Sequence, residues 1–326
     1  MKIVTFKSKQ AEEIGVFHEE KVYPISQIAT HLPTQMDAFL HLGEAGWQQL
    51  QHAFDIFSQD KESLSQGLNL QSLTLLSPVP RPASLRDAYA FRQHVETSRA
   101  NRGLPMIPEF DEFPVFYFSN HRAVSGPGLI ECMPDHFDKL DFELEIAVVI
   151  NKAGRNIQAA DADSYIGGYM IMNDLSARRL QMEEMKLNLG PAKGKDFATA
   201  LGPWLVSKDE LAPYLVETPA GHTGELYNLN MQCYVNDQLV SSGTLASMNW
   251  TFAEIIERIS YGVDLYPGDV IGSGTVGTGC FLELNGTGKR QNPDYKEQWL
   301  QPGDRIRMEA TGLGVLENEV RLAPQL

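Results

Sequence analysis

Two glutamates one residue apart enter an otherwise apolar stretch, Asp141-Phe142-Glu143-Leu144-Glu145-Ile146-Ala147-Val148-Val149-Ile150. Side chains of a strand alternate between its faces, so Glu143 and Glu145 point the same way. Phe142, Leu144, Ile146, Val148 and Ile150 take the other face as candidate core. From Ala147 onward both faces are apolar, the mark of a strand running into the interior. Carboxylates carried into such a place need water, a cation or a proton. Two unit charges about 4 Å apart cost roughly 4 kcal/mol at an effective dielectric near 20. If further acids converge there, a bound cation is the simplest remedy. The plain alternative is a strand whose first residues have one solvated face.

Other residues could join them. Asp174 follows the apolar strand Tyr169-Met170-Ile171-Met172, within Asn173-Asp174-Leu175-Ser176-Ala177-Arg178. It could instead cap a helix beginning at Leu175. On that helix Arg178 and Gln181, four and seven residues on, would share its face. Lys195 lies in Gly194-Lys195-Asp196-Phe197, a loop able to approach a ligand. Asp87 and His94 are seven apart, two turns and one face of the helix expected over Ser84–Arg102. Each alone has an ordinary explanation as a solvated residue. Gly272-Ser273-Gly274-Thr275-Val276-Gly277 fits a dinucleotide fingerprint by letter. That mechanism needs a helix to follow, and Phe281-Leu282-Glu283-Leu284 alternates like a strand. No nucleotide site is expected.

The elements that must position these groups fall into two units, 1–76 and 77–326, forming an α+β, β-rich chain. The first unit has strands near Ile3–Phe6, Gly15–His18 and Lys21–Pro24, then a helix over roughly Met36–Phe57, with Phe39, Leu40, Trp47, Leu50 and Phe54 at helical spacings. Ser77-Pro78-Val79-Pro80-Arg81-Pro82 is a linker, because its three prolines block regular helix. The second unit alternates strands with glycine-rich turns after residue 113. Helices interrupt near Asp161–Tyr165 and Ala253–Tyr261, and Pro-Gly-Asp turns precede strands at Val270–Ile271 and Arg305–Met308.

Composition excludes several function classes. The 326 residues are 43% hydrophobic, enough for a large core, yet no run of about 18 apolar residues could span a membrane. The first residues have no signal-peptide pattern. Cys132, Cys233 and Cys280 form neither a zinc pattern nor a disulfide framework, which points to a reducing cytoplasm. A net charge of −15 argues against nucleic acid and anionic membrane as partners.

The ordered motifs resemble the fumarylacetoacetate hydrolase family over about residues 80–326. They are Asp87 and His94, Leu140-Asp141-Phe142-Glu143-Leu144-Glu145, Asn-Asp-x-Ser-Ala-Arg ending at Arg178, Gly-Lys-x-Phe ending at Phe197, and Gly-Thr-x-Gly ending at Gly277. Arg92-Gln93-His94 and Phe281–Leu284 look most like the fumarylacetoacetase branch. The resemblance implies a mixed β-sandwich or roll with a small N-terminal α+β domain, a homodimer, and a divalent metal held by Asp87, Glu143, Glu145 and Asp174. Oxygen ligands suit Mg²⁺ or Ca²⁺, with Mn²⁺ admissible. It further implies that His94 activates water with support from Glu283, while Lys195, Arg178 and Gln181 hold the attacked carbonyl and its oxyanion. Tyr89, Arg102, Tyr117 and Thr275 would contact substrate, with Arg99 a rival for Arg102. Arg179 and Met185 stand where the family often has Asp and Tyr. The implied reaction is metal-dependent hydrolysis of a C–C bond in a 1,3-diketo acid, of fumarylacetoacetate or acylpyruvate type, as in aromatic catabolism. The alternative is a decarboxylase, isomerase or lyase of a small oxo acid on the same site.

Overall fold

The computed structural model describes residues 1–8 and 11–324. The elements that matter for the site are β1 (Lys2–Lys7), β2 (Glu12–His18), β3 (Lys21–Pro24), α1 (Gly43–Phe57), β4 (Ser84–Ala88), α2 (Arg92–Ala100), β5 (Phe116–Ser119), β6 (Leu144–Ile150), β7 (Ile166–Asp174), α3 (Arg178–Met185), β8 (Thr199–Val206), α4 (Phe252–Ser260), β9 (Asp269–Gly272) and α5 (Phe281–Gln291). One large mixed sheet runs in the order β3-β2-β1-β8-β7-β6-β9-β4-β5. β1 pairs with β8, placing Ile3 opposite Leu205, so the N-terminal strands extend the sheet that bears the acids. A second sheet runs Gln238–Thr244, Asn230–Val235, Arg305–Ala310, Gly314–Leu322, Gly128–Cys132.

From Ala147 onward β6 is apolar on both faces, and both are covered. Ile146, Val148 and Ile150 pack into a core with Met231 and Met308 of the second sheet and Ile256 of α4. Ala147 and Val149 pack on the other side with Met170, Leu205, and Leu50 and Phe54 of α1. Each fully buried Ile, Val, Leu or Phe stabilises the fold by about 1.5–3 kcal/mol, so this two-sided burial pins the register of β6 and β7. Every residue of β7 is buried. The result is the α+β, β-rich architecture the sequence implied.

Several local expectations fail for identifiable reasons. Ser84–Arg102 is not one helix: β4 pairs with β9 and β5, then α2 begins at Arg92. Sheet pairing overrides local pattern there, so Asp87 and His94 do not share a helix face. Phe281–Leu284 opens α5 instead of a strand; four residues are too few to separate period two from a buried helical turn. The N-terminus of α5 is nonetheless closed to phosphate, since the Asp141 carboxylate already accepts from Phe281 N at 2.7 Å and Leu282 N at 2.9 Å. The helix after Asp174 starts at Arg178, not Leu175, and Asp174 is the last residue of β7. The helix expected over Met36–Phe57 is broken into Met36–Leu40 and α1, where Gly43 takes φ +59°.

Candidate active site

The acids meet because of strand register. In the antiparallel β6–β7 pair Leu144 faces Asn173, and Asp174 N donates to Glu143 O, so Asp174 arrives beside Glu143. Asp87 comes from β4, one strand beyond β9, where it pairs with Gly272. A Cβ on Gly272 would lie 2.4 Å from Asp87 Oδ1, so only glycine lets this carboxylate reach across. The turn that follows aims Gly274 N at Asp87 Oδ1 (3.0 Å) and Thr275 Oγ1 at Glu145 Oε1 (3.2 Å). The glycine run that imitates a dinucleotide motif thus serves the acids.

One oxygen from each of Asp87, Glu143, Glu145 and Asp174 lies within 4.8 Å of the others, and all four residues are buried. Lys195 Nζ donates to Asp174 Oδ2 at 2.6 Å and also to Glu143. Arg178 Nη2 donates to Glu143 Oε1 at 2.7 Å. Two cations therefore face these four carboxylates and Asp141. Burial and the neighbouring Asp174 push the Asp87 carboxyl up to about 7. Burial, with Asp87, Glu143 and Asp174, raises Glu145 well above the carboxylate range. Burial acts the same way on Glu143, but Lys195 and Arg178 overcome it and hold that group down to about 2. Despite burial, Asp174 and Glu143 keep Lys195 an ammonium above its ordinary value. Glu145 Oε2 and Asp174 Oδ1 are buried with no hydrogen-bond partner among the described residues, and such atoms call for an explanation. An all-oxygen set with two unsatisfied carboxylate oxygens fits a hard divalent cation.

The wall beside this floor is helical. His94 in the first turn of α2 bonds Glu283 Oε2 through Nδ1 at 2.6 Å, and its Nε2 has no hydrogen-bond partner among the described residues. Thr278 N also donates to Glu283 Oε2, at 3.0 Å. Tyr89 stands edge-on to His94 with ring centroids 5.8 Å apart, and burial pushes its hydroxyl up to about 12. Tyr117 on β5 donates to Asp174. Gln181 Oε1 accepts from Arg178 Nη1 at 3.0 Å, one turn along α3.

Most of these groups border one cavity of about 640 Å³. Asp87, Glu143, Lys195, Arg178, Gln181, His94, Tyr89, Tyr117, Arg102 and Thr275 line it directly; Glu145, Asp174 and Glu283 do not, but each bonds a residue that does. Arg99 and Arg102 both line it and neither has a carboxylate partner among the described residues, so the geometry does not choose between them. Met185 lines the mouth. Arg179 instead makes surface ion pairs with Asp138 and Glu183.

The sequence reading missed Asp141. This fully buried carboxylate accepts from Arg178 Nε at 2.8 Å as well as from the first two N–H groups of α5. It fastens the arginine of the floor to the helix that carries Glu283. Its place within the motif Leu140-Asp141-Phe142-Glu143-Leu144-Glu145 is the signal the sequence offers, and nothing local distinguishes it from a solvated strand start.

Known proteins share this chain's sequence pattern and its fold. Residues 84–321 match the family model described as fumarylacetoacetate (FAA) hydrolase C-terminal. The chain is 30% identical over 293 residues to human "Oxaloacetate tautomerase FAHD2A, mitochondrial", covering 89% of this chain and 80% of that protein. Among solved structures, fumarylacetoacetate hydrolase from Exiguobacterium antarcticum superposes with a TM-score of 0.68 at 24% identity, over 99% of this chain and 100% of the other. Maleylpyruvate hydrolase from Sphingobium, solved with manganese(II) and pyruvate, gives a TM-score of 0.68 at 20% identity over the same shares.

Proposed function

This chain belongs to the fumarylacetoacetate hydrolase family, and from that premise we propose that it is a divalent-cation-dependent keto–enol tautomerase of a small 2-oxo diacid of the oxaloacetate type. What carries this reading over its rival is the 30% identity to the human protein described as an oxaloacetate tautomerase; the His94–Glu283 pair, at 2.6 Å, in the wall of a cavity lined by Asp87 and Glu143 supplies the proton carrier that either reaction needs. Asp87, Glu143, Glu145 and Asp174 would hold the cation, Mg²⁺ or Mn²⁺ before Ca²⁺. When bound, it supplies Lewis-acid polarisation of the oxo-acid oxygens and so acidifies the adjacent C–H.

The protein's own residues do the rest. Tautomerisation moves a proton between the carbon beside a carbonyl and the carbonyl oxygen. His94 is suited to take and return that proton near neutral pH through Nε2. Glu283 orients the ring and stabilises its charged form. Lys195, Arg178 and Gln181 offer N–H donors to the oxygen on which negative charge grows. Arg102 or Arg99 at the mouth would take the distal carboxylate. Tyr89, packed against the imidazole, limits water around it.

A second reading is hydrolysis of a C–C bond in a 1,3-diketo acid. It is favoured by the size of the cavity, which is roomy for a four-carbon diacid, and by a dyad equally able to activate water. The test supplies enol oxaloacetate, acetopyruvate, maleylpyruvate and fumarylacetoacetate, each with Mn²⁺ or Mg²⁺. Accelerated loss of enol absorbance without new products supports the tautomerase. Cleavage products with no effect on oxaloacetate would replace it by the hydrolase. Inactivity on all four would refute both.

A further inference from the structure

Beside the oxygen-lined acids lies a cluster of different chemistry. His94, Glu283 and Cys280 are all buried, and one ligand atom from each lies within 4.8 Å of the other two: a ring nitrogen, a carboxylate oxygen and Sγ. His94 opens this cluster to the cavity. Cys280 is the N-cap of α5, and its Sγ accepts from Glu283 N at 3.5 Å. Sulfur is a weak acceptor, and Ser, Asp or Asn caps a helix better, so capping alone does not account for a thiol here. Cys132 and Cys233 are buried in the apolar core, and neither joins such a cluster among the described residues.

We propose that His94, Cys280 and Glu283 form an inhibitory site for a thiophilic divalent ion, Zn²⁺ above all. The two clusters sort ions by softness. Four carboxylates favour hard cations, whereas an imidazole–thiolate–carboxylate set favours zinc. Three protein ligands with a fourth position open to a cavity is an arrangement zinc accepts. Zinc bonds of about 2.0–2.3 Å to N, O and S ask only that the three side chains close around the ion and that the His94–Glu283 hydrogen bond open. Charge and protons balance simply. The Cys280 thiol gives its proton to solvent and ligates as thiolate, and the ring proton that faces Glu283 passes by way of solvent to Nε2, so that the Nδ1 lone pair ligates. No oxidation state changes. With its imidazole ligated, His94 can no longer move a proton on the substrate.

The inhibition rests on the proposed role of His94, but the site does not, and the experiment separates them. Co²⁺ is titrated into the full chain with excess Mg²⁺ present, and the near-ultraviolet thiolate-to-cobalt charge-transfer band is followed. One equivalent should produce the band, and Zn²⁺ should erase it. Cys280→Ser keeps a capping hydroxyl, should retain activity without zinc, and should lose the band. In activity assays the same variant should need at least about tenfold more Zn²⁺ for half-inhibition, the scale set by altering a metal's surroundings. If Cys280→Ser is unstable, His94→Ala must lose the one-equivalent band instead. No band in the wild type, or a band that survives Cys280→Ser, overturns the site. A band present without zinc inhibition overturns only the inhibitory role. Equal zinc inhibition of wild type and Cys280→Ser places inhibition at the four acids and also overturns that role.

Discussion

The floor of the cavity is carried by strands and its wall by helices, and the two are held in place by different means. Asp87, Glu143, Glu145 and Asp174 sit on β4, β6 and β7 or directly beside them, and β6 and β7 are packed on both faces. A slip of one residue would turn every side chain to the wrong face, so core packing itself fixes the acids. His94 and Glu283 stand near the starts of α2 and α5. They meet through one hydrogen bond, and α5 is tied to the floor through Asp141. The division suits the proposed chemistry: ligands of a cation need fixed spacing, while a proton carrier must respond to substrate.

Substitutions can break this division or sharpen it. Glu145→Gln strikes the floor and should lower Mn²⁺ affinity at least about 10²-fold, beyond the 10–100-fold typical of groups behind the ligands; retention of tight binding in a calorimetric titration would remove Glu145 from the set. His94→Ala strikes the wall alone. It should lower turnover by roughly 10²-fold or more, the scale of general acid–base catalysis, with the affinity for Mn²⁺ nearly unchanged; wild-type turnover would take His94 out of the mechanism. Asp141→Asn strikes the link between them. An amide nitrogen in place of Oδ2 accepts from neither Arg178 nor Leu282, and an unmet buried donor costs about 1–3 kcal/mol. Both melting temperature and turnover should therefore fall, and a fall in neither would mean the link is dispensable.

The smallest effect belongs to a different place. A second cavity of about 640 Å³ lies along α1, lined by Trp47, Gln48 and His52. It equals the first in volume, but none of its residues joins a cluster able to hold a metal among the described residues. Gln48→Ala there should leave turnover and Mn²⁺ binding unchanged. A loss of activity would show that volume, not convergence of buried charge, had been undervalued.

The floor was legible in the sequence and the wall was not, for the same reason. Glu143 and Glu145 declare their shared face through alternation with Phe142, Leu144 and Ile146, a signal ten residues long. The wall is built by segments too short to carry a period. The turn from β4 into α2 occupies Tyr89, Ala90 and Phe91, and a helical spacing laid across it put Asp87 and His94 together by the wrong route. Phe281–Leu284 alternates for four residues and still begins a helix. Asp141 was invisible because its importance lies in partners 37 and 140 residues away. Family resemblance supplied the list of residues there; the fold supplies the reason they meet.

Calorimetric titration of Mn²⁺ into the wild type, Glu143→Gln and His94→Ala tests the account most directly. Strong binding by the wild type, retained in His94→Ala and weakened at least about tenfold in Glu143→Gln, is the predicted result. Equal binding by Glu143→Gln and the wild type, or loss of binding in a folded His94→Ala, would contradict it.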